Sequence, residues 1–353
     1  IEPNGSYFST NDFASPGGSK VLIAAGAASE DPASPTGAFI PRGPDKKPSG
    51  TDQYGVAIRV LAPDLNNTEF GFYHANYHSR TPLISGTLSR SGKTGGAAAA
   101  DSTYIVEYPD DIAMYGLSFN TLAPLGVALQ GEYSYRPNQP LQLAANNLLT
   151  ELLSFGNAPL NTGIGALNPA DPANQGKFVE GYQRVKVHQA QITATQTFGR
   201  MLGSSQVIGV AEAGYAYLDL PNGVDFNGTG LDSTTSPAAP GGPFTTKGIM
   251  TKNSYGYRAL LRATYNNALG AVNLIPRVAF SHDVRGTSPT FTQGSKAVSV
   301  GVGADYQSKW QADLSYTNFF GGEGIVAPGT AFRSTTQALS DRDFIAASVS
   351  YAF

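Results

Sequence analysis

Residues 254–265 read SYGYRALLRATY. In an extended chain Tyr255, Tyr257, Ala259, Leu261, Ala263 and Tyr265 fall on one face. Ser254, Gly256, Arg258, Arg262 and Thr264 fall on the other, because successive side chains of a strand point to opposite sides. The five residues 266–270, NNALG, are turn formers. After them Val272, Leu274, Val278 and Phe280 resume the apolar face against Asn273, Arg277, Ser281 and Asp283. A strand, a tight turn and a second strand of the same polarity follow directly from this stretch.

The same period extends in both directions. Toward the carboxy terminus Val298, Val300, Val302, Ala304 and Tyr306 oppose Ser299, Gly301, Gly303 and Asp305. Trp310, Ala312, Leu314 and Tyr316 oppose Gln311, Asp313, Ser315 and Thr317. Ile345, Ala347, Val349, Tyr351 and Phe353 then oppose Ala346, Ser348, Ser350 and Ala352. Toward the amino terminus the pattern returns at Val207–Tyr217, at Val127–Arg136 and at Tyr54–Val60, and more weakly over 68–79, 110–121 and 184–198. These make about eleven strands of roughly 9–14 residues, long for a globular sheet and close to what a tilted strand needs to cross a bilayer.

The connections sharpen the reading. Residues 62–67, 122–126, 199–205, 266–270 and 307–309 are short, whereas 80–109, 137–183, 219–251, 285–296 and 320–342 are long, polar and rich in Gly, Pro, Ser and Thr. Strict alternation of short and long connections is the pattern of a transmembrane barrel, in which closure satisfies every backbone N–H and C=O. Tyrosines near strand ends on the apolar face suit the headgroup region. The expected fold is therefore all-β: one antiparallel up-and-down transmembrane barrel over 1–353, with short periplasmic turns and long extracellular loops. Residues 1–50 are expected to be an extracellular segment and 137–183 a long outer loop. The competing architecture, a soluble sandwich or solenoid, supplies no reason for the interleaving.

Composition agrees. Of 353 residues only 14% are charged, against roughly 25% in soluble proteins. The net charge of −3, with no Lys or Arg run, gives no field for nucleic acid. Cysteine is absent, which removes disulfides, thiolate metal sites and a Cys nucleophile. The longest uncharged apolar stretch, Val21 to Ser29, is far too short for a spanning helix.

Motifs for chemistry are weak. Gly92-Lys93-Thr94 is preceded by Gly86, one residue too far for a phosphate loop. His282 and Asp283 sit on opposite strand faces, and His74 and His78, four apart on one strand face, are a weak metal pair that reads better as polar residues near an outer rim. No catalytic residue, cofactor or metal is expected.

The inward-facing charges are the candidates for a selectivity constriction or a bracing ion-pair network: Arg59, Glu132, Arg136, Glu212, Arg258, Arg262, Arg277, Asp305 and Asp313. Within 137–183 the residues Leu141, Leu148, Leu149, Leu152 and Phe155 fit an amphipathic helix, a candidate gate, ligand-capturing element or cap.

Three stretches carry a family resemblance: Tyr7 to Phe13 (YFSTNDF), Tyr77 to Ser85 (YHSRTPLIS) and Tyr104 to Asn120 (YIVEYPDDIAMYGLSFN). With the closing Arg342-Asp343-Phe344-Ile345 run to Phe353, they resemble domain of unknown function 1302, a family of Gram-negative outer-membrane proteins. The resemblance implies a bacterial outer-membrane location, passage of a hydrophobic or lipid-like compound, and partnership with an inner-membrane exporter of the resistance-nodulation-division type and a periplasmic protein. It also implies further strands upstream of Ser9. That matches parity, since a closed barrel needs an even strand number and Lys20 to Gly26 is the one candidate strand in 1–50. Phe353 and Tyr351, with alternating apolar residues before them, resemble the signal read by the barrel assembly machinery. The alternatives are a general diffusion porin for small polar solutes and an adhesive surface protein; homo-oligomerisation stays open.

Overall fold

The structure is a computed structural model and describes residues 18–22, 39–144, 148, 152–153, 167, 170–228, 248–326 and 333–352. Eleven strands form one antiparallel sheet: β3 (Tyr54–Ala62), β4 (Thr68–Tyr77), β7 (Ile112–Ala123), β8 (Val127–Gln142), β10 (Tyr182–Phe198), β11 (Gln206–Leu218), β12 (Asn253–Leu269), β13 (Val272–Arg285), β14 (Ser295–Tyr306), β15 (Trp310–Gly321) and β18 (Phe344–Tyr351). Each pairs with the strands before and after it in this series, an up-and-down meander. Among the described residues its edge strands, β3 and β18, have no outer partner.

Four of the five short turns lie where the sequence places them; at the fifth, β12 runs on through 266–269 and the chain turns at 270–271. The connection after β8 starts later than expected: β8 runs on to Gln142, beyond the period-two signal that stops at Arg136, and β10 begins at Tyr182. A register shift lies there: Arg136 faces Val187 while Gln139 faces Val185, so Pro137 and Asn138 stand opposite the single residue Lys186. A bulge accommodates a proline that has no N–H to give to the ladder.

The long connections have structure of their own. β1 (Lys20–Leu22) pairs with β2 (Phe39–Pro41) as a separate hairpin, so the strand candidate in 1–50 does not join the large sheet. β5 (Leu83–Thr87), β6 (Thr103–Glu107) and β9 (Phe178–Val179) make a three-stranded sheet beside the short helix α1 (Gly96–Ala99). β16 (Gly324–Val326) and β17 (Arg333–Thr335) form another hairpin. Backbone bonds from Gly43 to Tyr104 and from Lys46 to Val106 tie residues 42–46 onto β6. Together these segments cap the long-loop end of the sheet.

Burial is distributed in an unusual way. The buried apolar clusters lie in the cap and at the strand ends beneath it. Ile40, Ala98, Tyr104, Val106 and Leu153 form one, Leu88, Leu148, Leu152 and Val179 a second, and Leu141, Leu143, Val187, Leu218 and Phe226 a third. The apolar face of the sheet is bare: Ile58 is 58% exposed and Leu261 52%, and Val60, Phe72, Leu117, Ile192, Val300, Leu314, Ile345 and Val349 are all exposed with them.

The expected helix over 141–155 is corrected in part. Leu141 lies in β8, held by the sheet ladder, and is buried. Leu148 and Leu152 are helical and buried in the cap's own core, against Leu88 and Val179. Leu149 and Phe155, like Phe353 at the other end of the chain, lie outside the described residues.

Candidate functional site

The polar face of the sheet carries the inward charges in three groups. Arg277 reaches across β14 to Asp313 on β15 in a two-pronged pair, Nη1 at 2.5 Å and Nη2 at 2.8 Å. Gly301 lies between them, and a Cβ there would sit 3.0 Å from the guanidinium carbon, so glycine opens the lane. This also explains why Arg262 and Arg277 tolerate directly opposed positions in the ladder: one of the two cations points away to its carboxylate. Nearby, Glu212 stands opposite Arg258 and accepts a hydrogen bond from Thr193 at 3.0 Å.

Arg59 and Asp305 are not brought into these groups. Arg59 lies on edge strand β3, 65% exposed, with Glu69 of β4 at 4.0 Å. Asp305 is the penultimate residue of β14 and caps the adjoining turn by accepting from Ser308 N–H at 3.3 Å.

Glu132 and Arg136 line a cavity of about 390 Å³ on the polar face, over β7, β8, β10 and β11. Two aromatic rings wall it. Tyr73 lies over Gly116, where a Cβ would come within 3.2 Å of the tyrosine Cβ, and its hydroxyl meets Ser118 at 3.1 Å. Phe291 comes from the connection between β13 and β14 and rests on Gly214 and Gly256, whose Cβ positions would lie 3.0 and 3.1 Å from its ring. Ser288 Oγ accepts from the N–H groups of Thr290 and Phe291, both at 3.2 Å, and Asp283 accepts from Thr292 N–H at 2.8 Å. The loop is thus folded back over the sheet. Sequence reading missed Tyr73, Gln189, Thr290 and Phe291. The pairing that seats the ring, Gly214 facing Gly256, is set by the ladder register and could not be read along the chain.

The cap is fastened by Glu107, 1% exposed. It pairs with Lys46, accepts from Ser85 Oγ at 2.8 Å and from Tyr182 Oη at 3.3 Å. Burial of a carboxylate is tolerable because each of these partners offsets its desolvation.

In the Gly92-Lys93-Thr94 loop the acceptor is Asp101, which takes hydrogen bonds from Ser89 Oγ, Ser91 Oγ and Ser91 N–H. The Ser91 and Ser89 hydroxyl bonds pull its carboxyl down to about 2. A lowered folded-state value stabilises the loop above the ordinary carboxylate range, and that contribution is lost as pH falls through about 2. At neutral pH Asp101→Asn should therefore speed trypsin cleavage at Arg90 and Lys93; an unchanged digestion rate would show that these bonds do not close the loop.

The histidines separate. His74 joins Tyr54 and Tyr115 on the apolar face, and His282 joins Tyr257 and Phe280 there. His78 is buried behind the rim with Ser49 Oγ 3.3 Å from Nε2 and Asp110 3.7 Å from Nδ1. Those residue types suggest a hydrolytic triad, but Asp111 N–H donates to Nδ1 at 3.1 Å and Nε2 lies 2.7 Å from Thr51 O. Nδ1 therefore carries no proton for a carboxylate to orient, and Nε2 donates to Thr51 rather than acting as a base toward serine.

Fold and site define an all-β protein: an eleven-stranded up-and-down sheet, apolar and bare on one face, polar and charged on the other, with a folded cap over one end. Residues 1–353 match the family described as protein of unknown function (DUF1302), and the chain belongs to that family. No curated protein matches it.

Proposed function

We propose that this protein is an outer-membrane β-barrel conduit that moves a hydrophobic or lipid-like small molecule across the bacterial outer membrane. The observation that carries the reading is the inversion of burial: large apolar side chains are exposed on the sheet and buried in the connections. A water-soluble chain rarely leaves so continuous an apolar surface bare, whereas lipid is its natural solvent. The polar face then walls the transport path. The cap and Phe291 at one end, and the mixed cavity beneath them, suit capture of an amphiphile better than the free diffusion of a porin. An inner-membrane exporter with a periplasmic partner would supply cargo.

Trp310 is the chain's single tryptophan and stands at the start of β15, its ring 4.7 Å from that of Tyr351 and beside the 307–309 turn. In reconstituted protein its fluorescence should be quenched more by lipids brominated high on the acyl chains than by those brominated near the terminal methyl. Absence of quenching by either would remove the membrane assignment. For the full-length protein in a planar bilayer, the capped path should give little steady ionic current; sustained porin-like conductance would favour the diffusion porin instead.

A further inference from the structure

The cavity beneath Phe291 combines features that select a ligand. Its floor is set by β8 and β10, and its walls are the Tyr73 and Phe291 rings. These rings lie over β7 and β11, three strand spacings apart, or about 14 Å. Met114 adds a flexible apolar contact on the same side as Tyr73. The space between is that of an apolar chain or ring system lying along the strands.

At the cap end stands Arg136, next to the Pro137–Asn138 bulge. Bulges re-aim the side chains beside them. Arg136 Nη1 donates to Gln189 Oε1 at 2.7 Å, and Gln189 Nε2 donates to Thr290 Oγ1 at 2.6 Å, the residue adjoining Phe291. Among the described residues Arg136 is in no ion pair with a carboxylate, its Nη1 being held by the neutral Gln189, and its Nε is buried with no acceptor. Glu132, the other charge of the cavity, is four residues down the same strand, its backbone roughly 13 Å along it, and takes a hydrogen bond from Gln191. An unneutralised guanidinium at the closed end of an aromatic-walled cavity is a receptor for an anionic head group.

We propose that this cavity binds an amphiphilic carboxylate, its head group on Arg136 and its apolar body between Tyr73 and Phe291. The proposal rests on the conduit reading by naming its cargo class. Because Gln189 bridges Arg136 to Thr290, a carboxylate that draws Arg136 away from Gln189 also loosens the loop that holds Phe291. Binding at the cap end and release of the aromatic wall are then one event.

Calorimetric titration of the reconstituted protein in nanodiscs with decanoate and with decanamide, which share the apolar chain, tests the head-group assignment. Decanoate should bind about tenfold or more tighter, as a charge-assisted pair implies. Arg136→Gln should abolish that preference, any weakening that follows from the loosened Phe291 loop falling on both ligands alike, and Phe291→Ala should weaken both ligands together while the preference for decanoate persists. Empty nanodiscs supply the partition background, and an unchanged tyrosine and tryptophan emission spectrum reports that the variants are folded. Equal affinity for the two ligands, or a preference surviving Arg136→Gln, overturns the proposal. Tighter binding of decylammonium that disappears in Glu132→Gln would also overturn it, assigning the cavity to cations. Carboxylate binding in a protein that passes no solute across a bilayer would sink the conduit and leave the site standing.

Discussion

Leu261→Arg should destabilise the protein by about 2–4 kcal/mol when folding is measured into lipid vesicles, and should depress assembly accordingly. Leu261 is 52% exposed at the middle of β12, between Tyr257 and Tyr265 on the same face and opposite Val278 of β13. On a water-soluble sheet the same change replaces a half-exposed leucine by a well-hydrated cation and costs within about 0.5 kcal/mol. The two environments therefore predict effects several-fold apart from one substitution. Placing the charge on the polar face, as Thr193→Arg beside Glu212, should cost little in either case and serves as the control. A vesicle-folding free energy unchanged by Leu261→Arg would contradict burial of this face in hydrocarbon.

Gly181→Ala should release the cap while leaving the eleven-stranded sheet assembled. Gly181 sits just before β10, and a Cβ added there would fall inside the van der Waals shell of the Ile84 carbonyl oxygen and 2.7 Å from Leu148 Cδ2. Because the first obstacle is backbone, no side-chain rotation relieves it, and β5 has to move off β10. That movement removes the bond from Gly181 N–H to Ser85 Oγ at 3.0 Å. It also disturbs the two bonds accepted by Gly181 O, from Leu143 N–H at 2.9 Å and Gln142 Nε2 at 2.7 Å. Overpacking against a fixed atom with these losses costs about 3 kcal/mol, roughly a hundredfold in the opening equilibrium. Amide exchange over Leu83–Thr87 and Thr103–Glu107 should accelerate by that factor while the amides of β13 and β14 keep their protection. Cap amides as slow as in the unsubstituted protein would mean that the close approach of Ile84 and Gly181 is not maintained.

The period of two determined the strands by itself. Tyr255 to Tyr265 and Val298 to Tyr306 each keep one face apolar throughout, and local alternation is a property of neighbouring residues that needs no tertiary partner to be seen. Half of the pairings followed as well, since turns such as 307–309 are too short to join anything but adjacent antiparallel strands, while the pairs joined by long connections, such as β8 and β10, were left to the fold. The assignment of charges to one face was equally legible, because face is only parity along a strand.

What tertiary structure decided depends on residues far apart in the chain. The cap is one such feature: Lys46, Ser85, Glu107 and Tyr182 meet only when the segment before β3, the connection between β4 and β7 and the start of β10 fold together, and none of them announces a partner in sequence. Leu141 shows the converse error, an i, i+7 match to Leu148 that was coincidence, because pairing of β8 with β10 held it in the sheet. Among the nine charges, parity could say which way Arg277 points but not that glycine at 301 lets it reach Asp313 two strands away. The cavity was invisible for the same reason: Phe291 lies in a polar loop, and only the ladder that sets Gly214 beside Gly256 gives it a seat. Faces and strands are local and periodic and can be read along the chain; pairing, cavities and caps arise from long-range register, which only the folded molecule supplies.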